Sequence, residues 1–448
     1  MNYHLIGWNG ASLSGIRQLL EAEGQRVTGT DERTTGHGPD KLPADVDLVI
    51  YSDAITPGSA GWPELAAARD RGLPTQRRIE FIADRMLGHT GIAVAGAHGK
   101  STTTALIGWI LAQAGLDPTV FIGADLPQFG GSARSGRGQY VVSEACEWNK
   151  QFLALRPEVL VVTTIDREHI DTYPAGVPEI MEHFAQAAMN VAAGGCVIAN
   201  HDDPLVRHAL EGITTSVHWF GRSDQLEYTV RSIEHVPNGT LAITLVVKGN
   251  QTQPLISSLV GDHQALNVAA AFAAIDQLGV DRSATAAGIQ SFPGLKRRFE
   301  VYRDDAQLTV VDDYAHHPAE VAATLVAARQ RYPHRRVVSI FQPHLAERTT
   351  DLFDEFVAAL KRSDLVVVVD SYEPAGRHVR PDAKTSHDLT IALRQAGAQA
   401  IDGGTVAATV AHLSGIVAPH DVVITLGATD IWRAAEALTV WQSRARQG

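Results

Sequence analysis

The chain has 448 residues, 45% of them hydrophobic and 20% charged, which excludes a disordered chain and is too long for one ordinary core. A formal net charge of −12 argues against a nucleic-acid partner, and only two cysteines, Cys146 and Cys196, exclude a disulfide framework and a CxxC metal motif. The N-terminus reads as a strand rather than a leader, and no uncharged run approaches the roughly 20 apolar residues that span a bilayer, so a cytoplasmic enzyme without membrane contact is expected.

Residues 1–86 form a first block. A strand over 4–6 runs into a glycine-rich turn through Gly7, Gly10 and Gly15, and a helix follows. A second strand, 27–30, ends at Asp31, where a ribose-binding carboxylate often stands; a third, 48–51, leads into Ser52 and Asp53. Strands alternating with helices predict a parallel, doubly wound sheet. The glycine turn lacks the dinucleotide-binding spacing and suits diphosphate binding or tight packing equally.

The second block, 87–293, opens with a buried strand over 92–95 and the loop Gly96-Ala97-His98-Gly99-Lys100-Ser101, ahead of a helix over 102–114. Backbone amides in such a loop cradle phosphate oxygens at a helix N-terminus. Lys100 is placed to neutralise the β- and γ-phosphates, and the Ser101 hydroxyl to ligate Mg²⁺. Further strands are predicted at 140–143, 160–165 and 195–200. Glu144 follows the first of these and His169 the second, so both reach the sheet edge that carries the loop. A carboxylate and an imidazole there suit a divalent cation held against transferred phosphate. Glu147, Asp166, Glu168 and Asp171 add acidity, but no ligand role is assigned to them. Residues 226–260, β-rich over 240–247, suggest an antiparallel excursion, and a helix follows over 265–275. Pro293-Gly294 reads as a hinge.

The third block, 294–448, has predicted strands at 308–311, 336–340, 365–369 and 422–426 with helices between, again a parallel α/β sheet.

Several segments together resemble the Mur ligases of peptidoglycan precursor synthesis. They are GAHGKSTT from Gly96, EACE from Glu144, Thr164–Asp171, LKRRFE from Leu295, DDYAHHP from Asp312, FQPH from Phe341 and GATDIW from Gly427. The match runs almost end to end, and DDYAHHP and FQPH are typical of the alanine-adding branch and its near relative, the tripeptide-recycling ligase. The resemblance implies a three-domain α/β architecture: Rossmann-like N- and C-terminal domains around a central P-loop ATPase domain. It implies that ATP phosphorylates the carboxylate of UDP-N-acetylmuramate and that a small amino acid, L-alanine, attacks the acyl phosphate, with Mg²⁺ as cofactor. Gly96, His98, Gly99, Lys100, Ser101 and Thr102 would bind nucleotide, with His263 and Asn267 near adenine, Arg298 on the phosphates and Asp313 on the ribose. Ser101, Glu144 and His169 would hold the metal. Lys100, Glu144, His169, Arg298 and His317 would serve catalysis. Gly10, Ser12, Asp31 and Ser52 would meet the UDP-sugar. His316, His317, Arg377 and Arg380 would meet the amino-acid end. A monomer or weak dimer is expected. The rivals are the recycling ligase, a ligase for another acceptor, and a non-catalytic nucleotide-binding relative; the intact GKS loop and metal residues speak against the last.

Some positions depart from the family pattern. Gly7–Gly15 reads GWNGASLSG where GIGGIGMSG is usual, placing a bulky Trp8 in the turn. Asp53 replaces a serine, Thr164 an asparagine and Glu168 an aspartate. Tyr372–Arg380 departs from the usual YxAGE. The ATPase reading stands, while both substrate ends become less defined.

Overall fold

The structure, a computed structural model, describes residues 1–169, 172–236, 239–373 and 380–442, and for Ala11 and Ser12 the backbone alone. The chain divides into two compact units. The first comprises Met1–Glu234, Ala242–Ser258 and Gln264–Leu295; the second takes His235–Leu241, Leu259–His263 and everything from Lys296 onward. The division falls two residues after the Pro293-Gly294 hinge.

The first unit carries two sheets. One has strands β1 (Asn2–Ile6), β2 (Arg26–Thr30), β3 (Leu48–Tyr51) and β4 (Thr75–Arg77) in the order β2-β1-β3-β4, all parallel. Helix α1 (Ala11–Ala22) joins β1 to β2, α2 (Trp62–Asp70) joins β3 to β4, and α3 (Arg78–Met86) follows β4. Successive side chains point to opposite faces, so Leu5 and Ile50 join one apolar cluster while Ile6 and Val49 join another. Both faces are covered, as a parallel sheet requires.

The other sheet of this unit has eleven strands. They are β5 (Thr90–Ala95), β6 (Thr119–Leu126), β7 (Gly131–Arg134), β8 (Tyr140–Glu144), β9 (Val159–Val162), β10 (Cys196–Asn200), β11 (Ser216–Gly221), β12 (Tyr228–His235), β13 (Leu241–Val247), β14 (Asn250–Gln251) and β15 (Leu255–Ser257). Its central order is β11-β10-β9-β5-β8-β6, parallel throughout; β7 runs antiparallel to β6, and the expected antiparallel excursion appears where β14 pairs with β13. Helix α4 (Lys100–Gln113) follows β5. The strand expected over 160–165 stops at Val162, because Thr163 and Thr164 turn their polar groups onto the loop after β5.

The second unit holds β16 (Glu300–Asp304), β17 (Leu308–Asp313), β18 (Val337–Phe341), β19 (Leu365–Val369), β20 (Ala400–Gly404) and β21 (Asp421–Leu426) in the order β16-β17-β21-β18-β19-β20. The sheet is parallel except at one edge, where β16 pairs antiparallel with β17. That strand escapes a sequence reading because its EVYRD run is half exposed and has no apolar core to announce it. Along β19, Val366 and Val368 face one apolar cluster while Leu365, Val367 and Val369 face the other, so the unbroken valine run is what burial on two faces demands. Among the described residues no helix is long and apolar enough to cross a membrane.

Candidate active site

The site is built where β5, β8 and β9 end side by side. Their C-terminal ends place three segments together: Gly96–Ser101 after β5, Glu144–Glu147 at the end of β8, and Thr163–His169 after β9. Ligands of open parallel sheets bind at such an edge.

The Gly96–Ser101 loop is held from the β9 side. Ala97 N–H donates to the Thr164 carbonyl (2.8 Å), His98 N–H to Thr164 Oγ1 (2.9 Å), and Thr163 Oγ1 to the His98 carbonyl (2.6 Å). Thr164, the departure from the family asparagine, therefore supplies both an acceptor oxygen and a hydroxyl to the loop. Gly96 and Gly99 have φ of 133° and 83°, and a Cβ on either would strike a neighbour, Thr163 Oγ1 for Gly96 and Asn267 Oδ1 for Gly99. The His98 ring reaches Asp166 at 3.0 Å. Thr102 is buried in the first turn of α4.

Lys100 is folded back over its own loop. Its ammonium donates to the carbonyls of Gly96 and Ala97 and lies 3.1 Å from Glu147 Oε2. Burial alone would lower its pKa, but Glu147, with Cys146 and Glu144, outweighs that and raises it, so the cation persists at any physiological pH. Glu147, to which the sequence reading gave no ligand role, is buried and central. Its signal was its place, three residues past Glu144 in the EACE segment.

Ser101 Oγ donates to Glu144 Oε2 at 2.7 Å, and Gly123 N–H donates to the same oxygen at 2.9 Å. A hydroxyl and a carboxylate in contact at the start of a helix are the hard oxygen donors that Mg²⁺ takes, so the residues fit that ion. His169 stands instead beside Glu147, 3.7 Å from its carboxylate, in a ligand group with Cys146. His169 has φ of 53°, a left-handed conformation that histidine tolerates better than most side chains.

A cleft of about 200 Å³ opens beside these groups, lined by Ser52, Asp53, Arg78, Gly123, Glu144 and Cys146 among others. Ser52 Oγ accepts the Ala54 N–H (3.3 Å). Asp53 is 5% exposed, its Oδ1 accepts no hydrogen bond, and Arg77 approaches it at 3.8 Å. Burial raises the Asp53 pKa against the opposing pull of Arg77 and Arg78.

At the glycine turn, the N–H groups of Gly7 and Trp8 both donate to the Thr30 carbonyl (2.8 and 3.0 Å), and Gly10 caps α1. Trp8 packs across Gly29, where a Cβ would meet its ring at 2.7 Å, and Arg17 lies over the ring at 5.2 Å. The bulky departure is thus accommodated by a glycine on β2. Beneath the turn lies a buried cluster that sequence reasoning missed. Glu64 accepts from Thr30 Oγ1 (2.9 and 3.0 Å) and Gly38 N–H (3.2 Å) and meets His4 (2.6 Å) and His37 (3.3 Å). Asp31 is engaged locally, accepting the Arg33 N–H at 3.0 Å. The Ser12 side chain lies outside the described residues.

In the second unit, Asp313 accepts the N–H groups of Phe299 and Ala315, each at 2.8 Å; burial pushes its pKa up to about 6, with Arg298 opposing. Arg298 lies over the Tyr314 ring at 5.2 Å. His316 packs edge-on to Tyr314 and His344, and His344 stacks on Tyr372. His317 caps the helix Pro318–Arg331. Arg380 pairs with Asp351 at 2.9 Å, and Arg377 lies outside the described residues. In the first unit, Asn267 bonds Gln264 (2.8 Å) in the helix His263–Gln277.

Two family models match the chain. The Mur ligase middle domain covers residues 94–275, and the Mur ligase glutamate ligase domain covers 297–429. The chain belongs to the Mur ligase family. This Mur ligase is 36% identical to the UDP-N-acetylmuramate–L-alanine ligase of Pelobacter propionicus over 97% of its own length and 96% of the relative's. Its fold is similar to the crystal structure of UDP-N-acetylmuramate-alanine ligase from Thermotoga maritima, with a TM-score of 0.81 and 25% identity over 97% of each chain. A murein peptide ligase from Psychrobacter arcticus shares the fold at a TM-score of 0.70 and 22% identity over 99% of each chain. The expected three-domain α/β architecture of Mur ligases is borne out.

Proposed function

We propose that this Mur ligase joins the lactyl carboxylate of UDP-N-acetylmuramate to the amino group of L-alanine at the expense of ATP, in the cytoplasm. The observation that carries the reading is the Lys100 and Ser101–Glu144 arrangement at a phosphate loop, in a chain similar over nearly its whole length to ligases of that name.

The chemistry follows from what a carboxylate lacks. It is a poor electrophile until an oxygen becomes a leaving group. Transfer of the ATP γ-phosphoryl group makes an acyl phosphate and ADP. The amine then attacks the acyl carbon, phosphate departs with the bonding pair, and the amine loses a proton. Loop amides and Lys100 bind the nucleotide phosphates and oppose charge on the transferring group. Ser101, Glu144 and His169 would hold Mg²⁺, which when bound neutralises phosphate charge. Gly10, Ser12, Asp31 and Ser52 are assigned to the UDP-sugar. His263, Asn267, Arg298 and Asp313 are assigned to the nucleotide, and His316, His317, Arg377 and Arg380 to the amino-acid end.

The test is ADP release with UDP-N-acetylmuramate against L-alanine, glycine, L-serine and a γ-linked tripeptide. L-Alanine is expected to give the highest kcat/KM, with modest discrimination because one methyl group supplies only ~1–3 kcal/mol. A preference for the tripeptide would move the protein to the recycling activity. No amine-dependent turnover with any of the four would remove the ligase reading.

A further inference from the structure

The EACE segment differs from the EADE of the resembling motif by one residue, and that residue brings a thiol to the site. Cys146, Glu147 and His169 each offer one ligand atom, and these atoms all lie within 4.8 Å of one another. His169 Nε2 and Glu147 Oε1 are already 3.7 Å apart. A tetrahedral ion with bonds of about 2.0–2.3 Å spans ligand edges of roughly 3.3–3.7 Å, so the set closes on an ion by moving about an ångström.

The set is also held in place. Tyr173 is fully buried; its hydroxyl donates to the Glu147 carbonyl while its N–H donates to the His169 carbonyl at 3.1 Å. One residue, through its side chain and its backbone N–H, therefore ties the two ligand-bearing segments together. Access exists, since the His169 side chain is 25% exposed and Cys146 lines the cleft of about 200 Å³ that leaves room for a water ligand.

We propose that Cys146, Glu147 and His169 form a binding site for a thiophilic divalent cation of the Zn²⁺ class, which shares His169 with the proposed Mg²⁺ set but draws its other ligands from Cys146 and Glu147 rather than Ser101 and Glu144. Sulfur, imidazole and carboxylate with one open position is a donor set for Zn²⁺ or Co²⁺, whereas Mg²⁺ takes oxygen ligands. Binding forms a metal–sulfur bond and releases the thiol proton to the buffer. The ion draws on Glu147 Oε1, the oxygen nearest His169, while Oε2 stays 3.1 Å from the Lys100 ammonium. If the ligase reading is right, such ions inhibit it by occupying His169 and Glu147, but the site itself does not depend on that reading.

The probe is Co²⁺ alone, titrated into the full-length, metal-free protein without nucleotide. The expected result is a saturable thiolate-to-cobalt charge-transfer band in the near ultraviolet, displaced by Zn²⁺ and untouched by millimolar Mg²⁺. The band should persist in Cys196→Ser and vanish in Cys146→Ser and Cys146→Asp, and His169→Gln should weaken Co²⁺ binding at least about tenfold. Cys146→Asp restores the motif carboxylate, so it serves if the serine variant fails to fold, as judged by circular dichroism. Absence of the band in the unmodified protein, or its survival in a folded Cys146 variant, would overturn the proposal.

Discussion

Lys100 and Glu147 form an ion pair at 3.1 Å, with 12% and 3% of their side chains exposed. The cation that should meet phosphate is thus held by a carboxylate of its own protein. Removing Glu147 leaves the ammonium with the Gly96 and Ala97 carbonyls and, among the described residues, no anionic contact within hydrogen-bond distance.

Lys100→Ala should lower the rate of amide formation by ~10²–10³ or more, since it deletes a charge aimed at the transferring group. Glu147→Gln should act first on the fold. A buried ammonium left with a neutral partner costs about 2–4 kcal/mol, read as a lower urea midpoint at unchanged slope. Unchanged stability in Glu147→Gln would show that the Gly96 and Ala97 carbonyls suffice to hold the ammonium.

Asp53→Ser should raise the melting temperature at pH 7–8. The Asp53 pKa is raised by burial, so ionisation penalises the folded state as pH climbs past that raised value, and the penalty is absent below about pH 4. The stabilisation should therefore fade as pH is lowered. Arg77 keeps a partner in Glu80 at 2.9 Å. UDP-sugar affinity, measured by calorimetry, should stay the same or improve; a large loss would mean that Asp53 recognises the ligand directly.

Glu64→Gln should destabilise the protein by about 1–3 kcal/mol at pH 7, because it disturbs a fully buried acceptor of four groups. Burial would raise the Glu64 pKa, but His4 and Thr30 prevail and lower it. Its contribution is present above the ordinary glutamate range and is lost as pH falls through the depressed value. Denaturant titrations at pH 7 and pH 4 should show the gap between wild type and variant narrowing at the lower pH.

Asp313 makes the opposite contribution. Its pKa of about 6 lies above the ordinary aspartate value, so stability linked to it is complete below about pH 4 and declines as pH rises through 6. Asp313→Asn should flatten the stability profile between pH 4 and 7. Its absolute stability should fall, because the Phe299 and Ala315 N–H groups bond different carboxylate oxygens and an amide turns one of those positions into a donor. A profile as steep as wild type would assign the slope to another carboxyl.

The parts legible in the sequence are those with local signatures. Gly96–Ser101, the valine-rich strands and the Glu144 and His169 positions could be found because turn chemistry and apolar runs are written within a few residues. Other parts depend on partners far along the chain. Glu64 reads as an exposed residue of a helix until His4, Thr30 and His37 are brought to it. Glu147 looks like a bystander until Lys100 folds back. Trp8 looks like an obstruction until Gly29 is seen beneath it. Strand β16, half exposed, carries too few apolar residues to be distinguished from a loop.

The strand that leads into the Gly96–Ser101 loop lies between β8 and β9, both made after it, and the loop is held by Thr163 and Thr164. Thr164 follows His98 by 66 residues. At about 5–20 residues per second, a ribosome spends roughly 3–13 s between these two positions. Throughout that interval the nascent chain carries the glycines and lysine of this loop without the backbone and hydroxyl partners that shape it. On the proposed ligase reading, the loop takes the shape that would hold a nucleotide only once the chain has grown past Thr164.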